Sequence, residues 1–403
     1  MYFVKVYIKT KMNTKKYYMT SLNNFYNMFW VKILISVLFL FFASCDVNDV
    51  EDTTLIPLSE DAAVYLSMDG TAGLWILNAN SLELIDSMIT APGVPWTIEF
   101  SPDYSTWYSC WGRSADYSIY SCNLRPLTIT KGVQLPYAKA LLIKSYDEKY
   151  LIAYGYKGID IFDRASLSLI HQDTSSIFDS YSGIYASKKN NVFYFGMVEN
   201  REFVGFGIYN LDSMKVIKKI KLFNSIDYPR LIDVDFVITP DDKFLFLSAW
   251  NWRGLGGFGS FFIIDLTQER IINEFQVGAF SQLAISPDGQ SIYISDPGGH
   301  LYNFPSSGKV WRYDVKSNTM GVLINNLYYS DRITVAEDNR TLFITPTVAF
   351  DFQNGVKAWL VKADALNGQI IDYYPVSYDS MGFYTNIPRN VRMGKYITAN
   401  KRR

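Results

Sequence analysis

The chain has 403 residues, 16% of them aromatic and 19% charged, with a formal net charge of −1. Six of its 38 basic residues and none of its 39 acidic ones fall in residues 1–45, so the remainder holds 32 against 39, a net of −7. That balance lacks the positive field that nucleic-acid binding requires, and excludes such a partner.

Residues 1–44 read as a leader. Residues 33–43 are apolar apart from Ser36, follow Lys32, and end in Ala43-Ser44-Cys45. This is the pattern of a secretory signal: a positive start, a short apolar run and small residues before the cut. Eleven residues fall short of the roughly 20 that span a bilayer as a helix. The same tripeptide resembles a lipobox, which implies lipidation at Cys45 and a membrane attachment through lipid alone. Residues 45–57 carry Asp46, Asp49, Glu51 and Asp52 and read as a solvated acidic tether. Acids placed just after the lipidated cysteine resemble the surface-export signal of some Gram-negative lipoproteins. The expected location is therefore the outer membrane, on the cell surface, with the periplasmic side as the alternative.

Residues 58–403 are organised by a repeat. Ser101-Pro102-Asp103, Thr239-Pro240-Asp241 and Ser286-Pro287-Asp288-Gly289 are its clearest copies, and weaker ones start at Ser59, Ser145, Ser187 and Ala336. Successive starts lie 42, 44, 42, 52, 47 and 50 residues apart. Each turn is followed by a β-branched and aromatic run, then a second run ending in an Asp or Asn turn, then a third outer run. Strands at a period of about 40–50 residues mark β-propeller blades. The prediction is all-β: a seven-bladed β-propeller of four-stranded blades. A C-terminal strand, residues 383–387 or 391–397, closes the ring by completing the first blade, with residues 53–58 as a competitor for that place.

Catalytic patterns are sparse. The chain has two histidines, His171 and His300, and lacks HExxH, G-x-S-x-G, P-loop and Rossmann fingerprints. His171 sits in an outer strand and reads as structural. Asp163, Asp265 and Asp314 read as turn formers. Cys110 and Cys122 belong to one hairpin, about four residues of strand apart, or about 13 Å, which favours free thiols over a disulfide. No cofactor or metal is called for, and the expectation is a protein without catalysis.

Aromatic and cationic residues concentrate instead in the loops opposite the Ser-Pro-Asp turns. Trp250, Trp252 and Arg253, with Trp111, Arg113 and His300 from other blades, form the expected ligand-binding set. Rigid rings with forked donors are the usual chemistry of a binding face, although packing between blades would use the same rings.

The Ser-Pro-Asp-Gly turns and the aliphatic strands ending in Asp turns resemble YVTN/WD40-like propellers related to quinoprotein amine dehydrogenase β-chains. The resemblance runs over roughly residues 58–397. With the lipobox, the chain also resembles propeller lipoproteins that capture nutrients beside TonB-dependent transporters. It implies a small-molecule ligand or surface protein at the loop face and such a transporter as partner. A lactonase-like hydrolase using His300, and a scaffold within a surface complex, are the alternatives.

Overall fold

The computed structural model describes residues 57–68, 73–89, 94–95, 97–113, 116–137, 139–155, 157–175, 177–178, 183–200, 202–224, 228, 231–251, 259–278, 281–296, 308–327, 330–346, 350–351, 357–375 and 388–397. The regular elements among them are strands, and they form seven antiparallel sheets, each built on a path of four strands: a seven-bladed β-propeller. The first-blade sheet runs Leu84–Ile89, Gly73–Asn78, Ala62–Met68 and then Pro388–Lys395. The closing strand therefore comes from the second of the two expected C-terminal segments. It is innermost, beside the channel, and residues 383–387 lie outside the described residues, as does most of 53–58.

Turn chemistry explains why the repeat is so regular. Ser101 Oγ donates to Asp103 Oδ1 at 2.7 Å and accepts from the Thr106 N–H at 2.9 Å. The Tyr104 N–H closes the turn on Ser101 O at 2.9 Å, with Tyr104 in the left-handed region at φ 50°. Ser145, Thr239 and Ser286 repeat the hydroxyl-to-aspartate bond at 2.6, 2.7 and 2.5 Å. Proline at the second position pre-sets φ for such turns. At the same end of each blade, Asp163, Asp265 and Asp314 accept backbone N–H bonds from Ser166, Gln268 and Ser317 at 2.7, 2.9 and 2.7 Å. Hydrogen bonds from Ser166, Thr267 and Ser317 hold these carboxyls below the usual range. They are turn formers, as expected.

The core lies between blades rather than inside any one of them. One apolar cluster fills each of the seven junctions. Phe206 and Phe203 of the fourth blade meet Phe236 and Phe262 of the fifth, and Leu66 and Val64 of the first meet Phe343 and Leu360 of the seventh across the closure. Cys110 and Cys122 are both buried free thiols. Cys110 lies opposite Ile119 and Cys122 opposite Trp107, one residue from the expected register and about 10 Å apart along the strand.

Closure is reinforced by polar contacts. Tyr65 Oη donates to Lys395 O at 2.9 Å, the Tyr396 N–H donates to Asp61 O at 2.7 Å, and the Arg125 guanidinium lies 4.3 Å from the Tyr396 ring centroid. Gly394 must lack a side chain, because a Cβ there would sit 2.9 Å from the Tyr65 ring. A chain truncated before Pro388 exposes the inner edge of Ala62–Met68 and uncovers Leu66 and Val64. The expected outcome is loss of the cooperative thermal transition and aggregation through the free edge; a truncated chain that melts like the full one would contradict this account of closure.

Candidate functional site

Seven innermost strands line the central channel. They are Pro388–Lys395 of the first blade, Glu99–Phe100 of the second, Lys139–Lys144, Ile184–Ala186, Leu231–Ile238, Gln282–Ile285 and Ser330–Val335. Each ends its sheet and so presents one backbone edge to the channel. All seven contribute to a single cavity of about 690 Å³ that opens at the Ser-Pro-Asp turn end. This is the opposite end from that at which the strands Thr106–Arg113 and Phe244–Asn251 finish.

Its middle is apolar, walled by Ile143, Ile184, Val237, Leu283, Ile285 and Ile333. Its mouth is charged because the residues beside the turns are charged. Lys144 Nζ sits 2.6 Å from Glu148 Oε1, and Arg392 Nη2 sits 3.3 Å from Glu99 Oε1. Lys188 and Glu337 complete the ring of charges. Deeper along the channel, Asp235 Oδ2 accepts the Leu283 N–H at 2.9 Å, and Arg332 Nη1 donates to Gln282 Oε1.

The enclosure moves proton affinities in opposite directions. Burial pushes the Glu99 carboxyl up, against the opposing pull of Arg392, and burial does the same to Asp235. Partial desolvation at the channel mouth, with the like charge of Arg392, pushes the ammonium of the otherwise exposed Lys188 down. Burial also pushes the Tyr185 phenol up. A carboxyl shifted toward its neutral form inside a cavity marks a candidate functional site, and Glu99 is the one at the mouth.

The expected loop-face residues that the structure describes are not among those lining this cavity. Trp250 is inside the strand Phe244–Asn251, not beyond it, paired with Ile232 and Gly259 and 2% exposed. It belongs to the packed blade, which corrects its place in an exposed loop. Trp111 and Arg113 end the strand Thr106–Arg113, opposite Ser118 and Asp116. Trp252, Arg253, His300 and Cys45 lie outside the described residues. Sequence reasoning passed over Glu99, Lys144, Lys188, Glu337 and Arg392. The first four share a detectable signal: each is a charge within two residues of a turn start, Glu99 and Lys144 on the strand before it and Lys188 and Glu337 in the turn itself.

Neither a protein-family model nor a curated protein matches this chain. Solved structures do. Kuenenia stuttgartiensis hydrazine synthase superposes with a TM-score of 0.56 at 15% identity, over 76% of this chain and 97% of that one. The dihydro-heme d1 dehydrogenase NirN, in complex with DHE, gives 0.51 at 14%, over 80% and 74%. The Cps50 (Swd1) β-propeller domain of Myceliophteria thermophila gives 0.50 at 11%, over 71% and 88%. At these identities the likeness establishes the fold, a WD40-like propeller. Two of the three are enzymes, which overturns the expectation of a protein without catalysis: the same scaffold carries chemistry elsewhere.

The Glu99 shift sets a pH dependence. A carboxyl whose folded pKa is raised binds its proton more tightly in the native state. Stability then falls as pH rises from the ordinary carboxylate value through the raised one. Glu99→Gln removes that decline. Melting temperature followed from the acid range to neutrality is expected to fall less steeply for the variant than for the native protein, and parallel curves would refute the assignment.

Proposed function

We propose that this protein is an exported, lipid-anchored propeller that takes a small molecule into the turn-face mouth of its channel. The observation that supports this best is the cavity itself: about 690 Å³, built by all seven blades, with an apolar wall and charged groups at its rim. Ligand sites are concave, mostly apolar and of this size, with a few polar groups that fix orientation. The enzymes among the structural neighbours make turnover of the captured molecule part of the reading, with Glu99 as the group that would exchange a proton.

The export half of the reading rests on the apolar run 33–43 and the lipobox-like Ala43-Ser44-Cys45. The acidic stretch after it supports display at the cell surface, and a TonB-dependent transporter is the partner that nutrient capture at an outer membrane would need.

Each half has its own test. Thermal-shift and mass-spectrometric screening of small polar metabolites should give stabilising molecules for the native protein, some of them returned chemically altered. Ala186→Trp and Thr334→Trp, half-buried positions on the cavity wall, should fill the cavity and abolish those hits while preserving the fold. Hits that survive both substitutions would place the ligand elsewhere. For the anchor, Cys45→Ala should remove lipid labelling and move the protein from the membrane to the soluble fraction, since lipidation is the attachment invoked. A variant that stays membrane-bound sinks the lipoprotein reading.

A further inference from the structure

The charges at the channel mouth do not all neutralise one another. Glu148 takes Lys144 and Glu99 takes Arg392. Two charges on the cavity wall are left with no partner of opposite sign at ion-pair distance among the described residues: Lys188 and Glu337. Lys188 belongs to the turn that follows Ile184–Ala186 in the fourth blade, and Glu337 to the turn after Ser330–Val335 in the seventh. In a ring of seven, these blades are three steps apart, which sets the two side chains on opposite walls. Apolar side chains lie between them, including Val237, Leu283, Ile285 and Val335.

A lone ammonium facing a lone carboxylate across an apolar floor is complementary to one kind of solute. Resting on the channel reading above, we propose that the ligand is a zwitterion with an apolar body, of the class of a short apolar peptide with both termini free. Its carboxylate meets Lys188, and its ammonium meets Glu337 on the opposite wall. A simple anion would gain Lys188 and face Glu337, and a simple cation the reverse. The ligand that gains both ends is neutral overall and loses least on leaving water as a pair of matched charges. The arrangement also gives a use to the like-charge pressure of Arg392 on Lys188, which an incoming carboxylate relieves.

Three probes separate the ends: trileucine, N-acetyl-trileucine and trileucine amide, titrated calorimetrically into the full exported protein. Free trileucine should bind about tenfold tighter than either blocked form, the scale of one charge-assisted contact. Lys188→Met should erase the preference over the amide and keep the preference over the acetylated peptide. Glu337→Gln should do the opposite. Both residues are exposed turn positions, and circular dichroism melts matched to the native protein show that folding is intact. Equal affinity for the three peptides, or binding of none, overturns the inference. If metabolite hits vanish in Thr334→Trp while the peptides are not discriminated, the cavity remains the site and only the zwitterion assignment falls.

Discussion

Every blade of this molecule is apolar on both faces, and nothing within a blade can cover either one. The strand Tyr150–Gly155 is buried along its whole length, and its neighbour Gly158–Asp163 nearly so. A lone four-stranded sheet of that kind would leave two oily surfaces and two open edges in water. Stacking against the next blade solves the face problem but passes it on, so only a closed ring ends the series. Among the described residues, seven apolar clusters lie at the seven interfaces between blades.

Closure therefore cannot be left to the neighbours in sequence. The first blade supplies only three of its own strands, and the fourth comes from the far end of the chain. Polar groups then lock the junctions at the turn end, where they do not compete with packing. Ser187 Oγ donates to Asp242 Oδ2 at 2.6 Å across the fourth and fifth blades, and the Asp288 N–H donates to Asn339 Oδ1 at 2.9 Å across the sixth and seventh. Lys362, although nearly buried, donates to Asn80 O at 2.9 Å across the closure. Much of the aspartate in the repeat is thus committed to holding turns and seams, which is why its regularity in sequence carries no catalytic meaning.

The fold was legible because its determinants are local. A hydroxyl, a proline and an aspartate within three residues specify a turn wherever they stand, and their spacing counts the blades. The closing strand was legible only as a pair of candidates, since Ala62 and its partner Lys395 are separated by nearly the whole propeller and no local signal links them. The site was harder still. Trp250 looked like a loop residue because Asn251 and a glycine-rich stretch follow it, yet its strand extends one residue past it and its indole is packed away. Which charges face inward depends on which strand is innermost and on which end of the ring is open. Nothing local singles out Glu99 or Lys144; convergence of strands far apart in the chain makes them the rim of a cavity.

Ring closure and site formation are one event in this architecture. Arg392 rides on the closing strand, and docking of that strand both completes the first blade and brings the guanidinium against Glu99 of the second. The influence of the same charge reaches Tyr185 and Lys188 in the fourth blade and Asp235 in the fifth. In an open ring none of these groups would share a cavity, each would be hydrated separately, and their proton affinities would return toward ordinary values. The cost of gathering them is the desolvation that raises Glu99 and lowers Lys188, and the interblade apolar clusters are what hold the ring closed against it. A channel mouth assembled in this way is preorganised: its charges sit on the innermost strands and on the tight turns that follow them, so a ligand that matches them need not order the site as it binds.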